Sequence, residues 1–235
     1  MSRTGFLFAS LLWMALGIMP AAFAQSLIVG IPNAETTPKN HMMVTHESQL
    51  SPWSQREPWN TFNFVTYGLT DHTELALSAS NASLKNMDNF SLALGFKTTK
   101  PLFLEKFPKN ELKVTLGQMV PVSLTGKGVG SWTFSTLSTR IPKTKTRLTG
   151  GVSVGTKQIF GRDKVAFIGG VEQPLTKKIS LVADWYSGTH DLAAFIPAIQ
   201  YNINKHDVII VGYKMPNNDQ SGKHAIIIEF NKMFD

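Results

Sequence analysis

Phe90-Ser91-Leu92-Ala93-Leu94-Gly95-Phe96-Lys97 alternates large apolar side chains with small or charged ones, position by position. A period of two belongs to an extended strand with one apolar and one polar face. Leu112, Val114 and Leu116 against Lys113, Thr115 and Gly117 repeat the pattern, as do Leu148, Val152 and Val154 against Thr149, Gly151 and Ser153. Leu75, Leu77 and Ala79 oppose Glu74, Ala76, Ser78 and Ser80, and Ile226, Ile228 and Phe230 oppose Ile227, Glu229 and Asn231. Carried along the chain, the alternation predicts about twelve strands. They fall near 41–49, 58–68, 73–82, 89–98, 111–120, 130–139, 145–156, 163–173, 178–187, 192–202, 207–215 and 222–231.

The chain ahead of these strands reads as a cleavable export signal over residues 1–24. Arg3 precedes an apolar run from Phe6 to Ile18, Pro20 breaks it, and Ala22-Phe23-Ala24 supplies small residues around a cut before Gln25. Removing those 24 residues from the 235 leaves 211, which suits a single domain. Residues 25–40 are then expected as a periplasmic N-terminal segment and 41–235 as the folded domain. The mature part has no run approaching the ~20 apolar residues of a membrane-spanning helix. An exported chain with no Cys has no disulfides to stabilise it, so closure of a hydrogen-bonded sheet is the expected stabiliser. The net charge is +7, or +6 once Arg3 leaves. For an exported protein that charge points to anionic lipid headgroups and lipopolysaccharide rather than nucleic acid.

Two features favour a transmembrane β-barrel over a soluble sandwich. Three turns look alike: Gly68–Leu75, Pro174–Leu181 and Asn202–Ile209. They follow the second, eighth and tenth strands, so in an up-and-down meander they share one end. Trp53, Trp59, Trp132 and Trp185 fall at the opposite end, with Tyr186 and Tyr213, whereas Tyr67 and Tyr201 lie near the turns. Aromatics gathered at two levels match the girdles of a membrane barrel. An even strand number returns both termini to the periplasmic side. The outer loops (50–57, 83–88, 121–129, 157–162, 188–191, 216–221) are all short, and the longest periplasmic connection, 99–110, is a candidate for a short helix-like turn. The basic residues at that end (Arg140, Lys143, Lys145, Arg147, Lys177, Lys178, Lys205) form a solvated, headgroup-facing rim, with a periplasmic partner's docking site as the other reading.

The mature chain resembles the bacterial outer-membrane β-barrel superfamily over its whole length. The stretch Trp59-Asn60-Thr61-Phe62-Asn63-Phe64, running into Tyr67–Leu75, resembles uncharacterised exported barrels, including those labelled as transporters of aromatic-degradation pathways. That resemblance implies an outer-membrane location in a Gram-negative cell and insertion by the barrel-assembly machinery. Many such barrels end in an aromatic, whereas here Phe234 is penultimate and Asp235 last. The leading function is a narrow passive channel or a structural barrel without enzymatic activity. Glu74, Lys97, Lys113, Asp184 and Glu229 are the lumen candidates; no cofactor and no metal site is expected, and the oligomeric state is open.

One cluster supports a second reading. His46 and Ser48, two apart on a strand, share a face. A hairpin centred on residue 53 sets Asn60 opposite His46, so that base, nucleophile and orienting amide meet. The same register makes that face the lipid side, with Met42, Val44, Phe62 and Phe64. The arrangement resembles outer-membrane phospholipase A, and the resemblance implies His46 as base, Ser48 as nucleophile and Asn60 as the His-orienting group. Gln49-Leu50-Ser51 stands where that family carries Asn-Gly-Arg after the serine. The bland reading makes His46 and Ser48 interfacial polar residues beside a girdle tryptophan.

Overall fold

The computed structural model describes residues 26–54, 58–80, 90–103, 105–106, 109, 111–126, 128–219 and 221–235. The expected leader, 1–24, and the expected outer loop 83–88 lie outside the described residues. The elements in chain order are β1 (Met42–Leu50), β2 (Trp59–Thr70), β3 (Thr73–Ser80), β4 (Ser91–Pro101), β5 (Lys113–Ser123), β6 (Trp132–Arg140) and β7 (Arg147–Gly155). After a single helical turn, α1 (Lys157–Phe160), come β8 (Val165–Pro174), β9 (Ile179–Tyr186), β10 (Ala194–Asn202), β11 (Asp207–Pro216) and β12 (Ala225–Phe234). Every strand pairs antiparallel with its sequence neighbours, and β1 also pairs with β12, Met42 opposite Phe234. The sheet therefore closes into a twelve-stranded barrel, as the alternation predicts. Closure leaves no unpaired edge, and in lipid every strand amide must find its partner inside the protein. The start of β1 and the end of β12 lie at one rim, the terminal rim, where the three similar turns sit; the opposite end is the far rim. The connection 99–110 lies partly outside the described residues; within it Lys106 N–H donates to Phe103 O at 3.0 Å, and α1 forms between β7 and β8 at the far rim.

Side-chain parity holds around the circle. Glu47 pairs with Glu229 on one side and Phe62 on the other, Phe62 with Ser80, Ser80 with Ser91, and Ser91 with Ser123, all facing inward. The outward set is apolar and bare: Leu94 is 67% exposed and Phe167 63%, with Leu116, Leu148, Ile199, Val211 and Ile228 similarly open. A water-soluble barrel would not present so continuous an apolar belt; a bilayer requires one. Strand β6 inverts the size rule. Trp132 and Phe134 face inward while Thr133 and Ser135 face out, because the neighbouring strands supply glycines there. A Cβ at Gly117 would meet Phe134 Cζ at 2.3 Å.

Residues 25–40 are expected on the periplasmic side of the barrel; the structure puts 26–37 inside it and 38–40 at its rim. The segment bends over the terminal rim at Gly68, where Asn40 N–H donates to Gly68 O at 2.8 Å and Gly68 N–H to His41 O at 3.0 Å. A Cβ on Gly68 would stand 1.9 Å from Pro38 O, so only glycine lets the segment pass so close. Ile28, Val29 and Ile31 are fully buried and join the cluster built on Ile168, Val182, Ile196 and Ile210. The lumen of this barrel supplies apolar wall area, and the segment's own aliphatic side chains cover it.

Candidate functional site in the barrel lumen

The tip of the internal segment is a tight turn, with Ile28 N–H donating to Ile31 O at 2.8 Å. The turn leaves three successive amides pointing the same way, and Asp184 Oδ2 accepts all of them: Val29 N–H at 3.0 Å, Gly30 N–H at 2.6 Å and Ile31 N–H at 3.0 Å. A run of converging N–H groups is a natural cradle for a carboxylate. Gly170, cross-strand from Asp184, leaves the dent into which Ile28 and Ile31 fit; a Cβ there would lie 2.4 Å from Ile28 Cδ1.

Two further anchors hold the segment along its length. Glu74 and Lys97, opposite one another on β3 and β4, form a buried ion pair at 3.3 Å. Lys97 Nζ donates to Ser26 O (2.6 Å) and Ser26 Oγ (2.8 Å), and Ser26 Oγ itself bonds Glu74. Glu74 Oε2 accepts from Thr37 N–H at 2.6 Å and Thr37 Oγ1 at 2.9 Å. Nearer the rim, Glu35 takes Lys113 Nζ at 2.9 Å and Arg147 at 2.6 Å. Four of the five lumen candidates therefore bind the internal segment or its neighbours: Glu74 and Lys97 as a pair, Lys113 through Glu35, and Asp184 through backbone amides. Glu229 does not; it bonds Asn231 Nδ2 at 2.6 Å.

Beyond the segment toward the far rim the lumen keeps a cavity of about 950 Å³. Its floor is Leu27, Val29, Gly30 and Pro32, and its walls include Glu47, Phe62, Phe64, Met119, Phe134 and Glu229. The tryptophans divide. Trp185 and Trp53 are exposed at the far rim, Trp53 beside Tyr213 with ring centroids 6.3 Å apart, and Tyr67 and Tyr201 are exposed near the terminal rim. Trp132, expected in the girdle, turns into the lumen, where its indole bonds Ser153. Tyr186 also faces inward and is buried.

The lipid-facing cluster forms, with one member changed. The β1–β2 hairpin pairs His46 with Asn63, not Asn60; Asn60 pairs with Gln49 and lines the cavity. The reason is the turn: it spans residues 51–58 rather than centring on 53, which slips the register by three and reverses the face of residue 60. That slip brings in Asn63. His46 Nδ1 lies 2.8 Å from Asn63 Oδ1 and Nε2 lies 3.1 Å from Ser48 Oγ. Trp59 Nε1 donates to the same Ser48 Oγ at 3.2 Å. Phe62 and Phe64 face the lumen, opposite to expectation, for the same reason.

No protein-family model matches the chain, and no curated protein sequence is similar to it. Solved structures do match. The KdgM porin, determined in complex with disordered oligogalacturonate, superposes with a TM-score of 0.55 at 9% identity, covering 83% of this chain and 99% of its own. The COG4313 outer membrane channel from Pseudomonas putida F1 superposes with a TM-score of 0.52 at 10% identity, covering 86% of this chain and 98% of its own. The protein shares a closed antiparallel β-barrel fold with these two outer-membrane barrels. At these identities the likeness is one of fold.

Proposed function

We propose that the protein is a passive outer-membrane channel whose lumen is closed down by its own N-terminal segment. The observation that carries this reading is the cavity of about 950 Å³ inside a closed wall, floored by residues 27–32. Selection in such a pore follows from its width and the side chains that line it. The barrel sits in the outer membrane of a Gram-negative cell, with lipid and lipopolysaccharide against its apolar belt, and is placed there by the barrel-assembly machinery after its export signal is removed. Both neighbours by fold are outer-membrane porins or channels, which supports the reading. Planar-bilayer recording tests it. The parent protein should show rare openings from a closed baseline, and Asp184→Ala, which removes the acceptor of three segment amides, should open more often. Baseline currents in both proteins would overturn the channel reading.

The His46–Ser48–Asn63 geometry favours a second reading, a lipid-acyl hydrolase at the outer leaflet. The distances fit an activated serine: Ser48 Oγ would bond the ester carbonyl carbon as its proton passes to His46 Nε2. That proton would then leave with the alcohol as the ester C–O bond breaks, and water would release the acyl group by the reverse order. Asn63 would fix the imidazole with Nδ1 protonated and Nε2 free to accept. Turnover of phospholipid in mixed micelles by the parent, lost in Ser48→Ala, supports this reading; no turnover by the parent leaves the cluster an interfacial hydrogen-bond chain with Trp59.

A further inference from the structure

Glu47 and Glu229 stand directly opposite each other on β1 and β12, facing the cavity above the internal segment. One oxygen of each is occupied: Gln49 Nε2 donates to Glu47 Oε1 at 2.7 Å and Asn231 Nδ2 to Glu229 Oε1 at 2.6 Å. Glu229 is 1% exposed, and apart from the facing Glu47 carboxyl its Oε2 has no hydrogen-bond partner among the described residues. A buried carboxylate oxygen left without a donor is costly unless something supplies one. Glu74, Lys97 and Lys214 do not. Glu74 and Lys97 neutralise each other at 3.3 Å, and Lys214 directs its ammonium to the Asp191 carbonyl at 2.9 Å. Two carboxylates therefore face a cavity whose remaining charged lining is Asp191, Lys214 and Lys223.

We propose, building on the channel reading, that this seam binds an organic ammonium ion, its cationic nitrogen between Glu47 and Glu229 and its apolar body on the aromatic wall. Phe62 lies directly cross-strand from Glu47, and Phe64 cross-strand from Thr45, one step nearer the floor. Carboxylate acceptors beside aromatic faces match a protonated amine, which donates up to three hydrogen bonds and is attracted to ring faces. A bare divalent cation fits less well. It wants six or more oxygens, whereas two of the four carboxylate oxygens here are taken by amide donors, and the described residues hold no group of three metal-ligating acids or imidazoles.

Tryptophan fluorescence reads occupancy, because Trp59 and Trp132 line the cavity. Phenethylammonium titrated into the detergent-folded protein should give a saturable change, and 3-phenylpropionate, of similar shape and opposite charge, should give none. Glu47→Gln with Glu229→Gln should weaken binding by about tenfold or more, since hydrogen bonds to charged groups are lost. Lys214→Met, which removes a competing cation of the lining, should tighten it. Equal response to both probes, an equal response to calcium chloride, or indifference to the double substitution would overturn the assignment; the last result is what a single proton shared by the two carboxyls would give. The titration needs no current, so a barrel that binds but never conducts loses the channel reading alone, and one that conducts but responds equally to the two probes loses this inference alone.

Discussion

Replacing Asp184 by Ala removes one side chain and strands three buried amides. Each of the three hydrogen bonds, at 3.0, 2.6 and 3.0 Å, contributes about 1–2 kcal/mol, so the latch as a whole contributes about 3–6 kcal/mol. Against release stands the burial of Ile28, Val29 and Ile31, about 1.5–3 kcal/mol for each side chain. The two quantities are of the same size. With the latch gone and three donors unsatisfied, the tip should sample open states instead of leaving outright. Amide hydrogen exchange measures this directly. The Val29, Gly30 and Ile31 amides should exchange about two to four powers of ten faster in Asp184→Ala than in the parent. Strand amides such as those of β4, far from the tip in sequence, should not change, and heat-modifiable gel mobility should confirm that the barrel is folded. Unchanged exchange at the three amides would refute the latch.

Arg at Leu94 should cost roughly 2–4 kcal/mol in urea unfolding of the lipid-reconstituted barrel, because that position faces the bilayer; Arg at Ser91, which faces the lumen, should cost less, and equal penalties would contradict the facing. Gly68→Ala should push Thr37 and Pro38 off the rim, since the new Cβ would sit 1.9 Å from Pro38 O, and should speed exchange of the Thr37 amide without dissolving the wall. At the far rim, His190 stacks on Phe160 with ring centroids 4.2 Å apart, and burial there pulls its pKa below the usual value, Lys214 adding to this and Asp163 and Asp191 opposing it. A depressed pKa means the neutral ring is the one the fold prefers. Its contribution is complete above about pH 6.5 and lost as pH falls through the lowered folded value. The His190 ring protons should therefore titrate below about pH 6.5, and Phe160→Leu should bring the midpoint back up; a midpoint at the ordinary value in the parent would contradict the packing.

The wall was legible in the sequence because it obeys one rule repeated twelve times: alternation tells each side chain which solvent it meets. Leu94 and Glu74 lie on the faces that rule assigns. Trp132 and Phe134 are where the rule misleads, for size alone does not say that a glycine stands cross-strand from each, Gly155 and Gly117. The candidate triad shows how much rests on one turn. His46 and Ser48 share a face at any register, but their partner depends on turn length, and a three-residue shift exchanged Asn60 for Asn63. The internal segment gave almost no signal. Ile28, Val29 and Ile31 are too few to show a period, and Asp184 recognises backbone amides, which every residue but proline carries.

The most direct test of a lumen closed by residues 26–40 uses the absence of native cysteine. Gly30→Cys combined with Asp184→Cys replaces the latch by a bond that can be switched, since a Cβ at residue 30 would be in van der Waals contact with the Asp184 side chain, 3.8 and 3.9 Å from its carboxylate oxygens, and thiol titration of the oxidised protein confirms that the bridge has formed. Planar-bilayer current is recorded from one preparation, first oxidised and then after addition of reductant. A lumen closed by the segment predicts a silent barrel while the bridge is intact and openings once it is reduced. Currents that are the same in both states, whether open or silent, would contradict it.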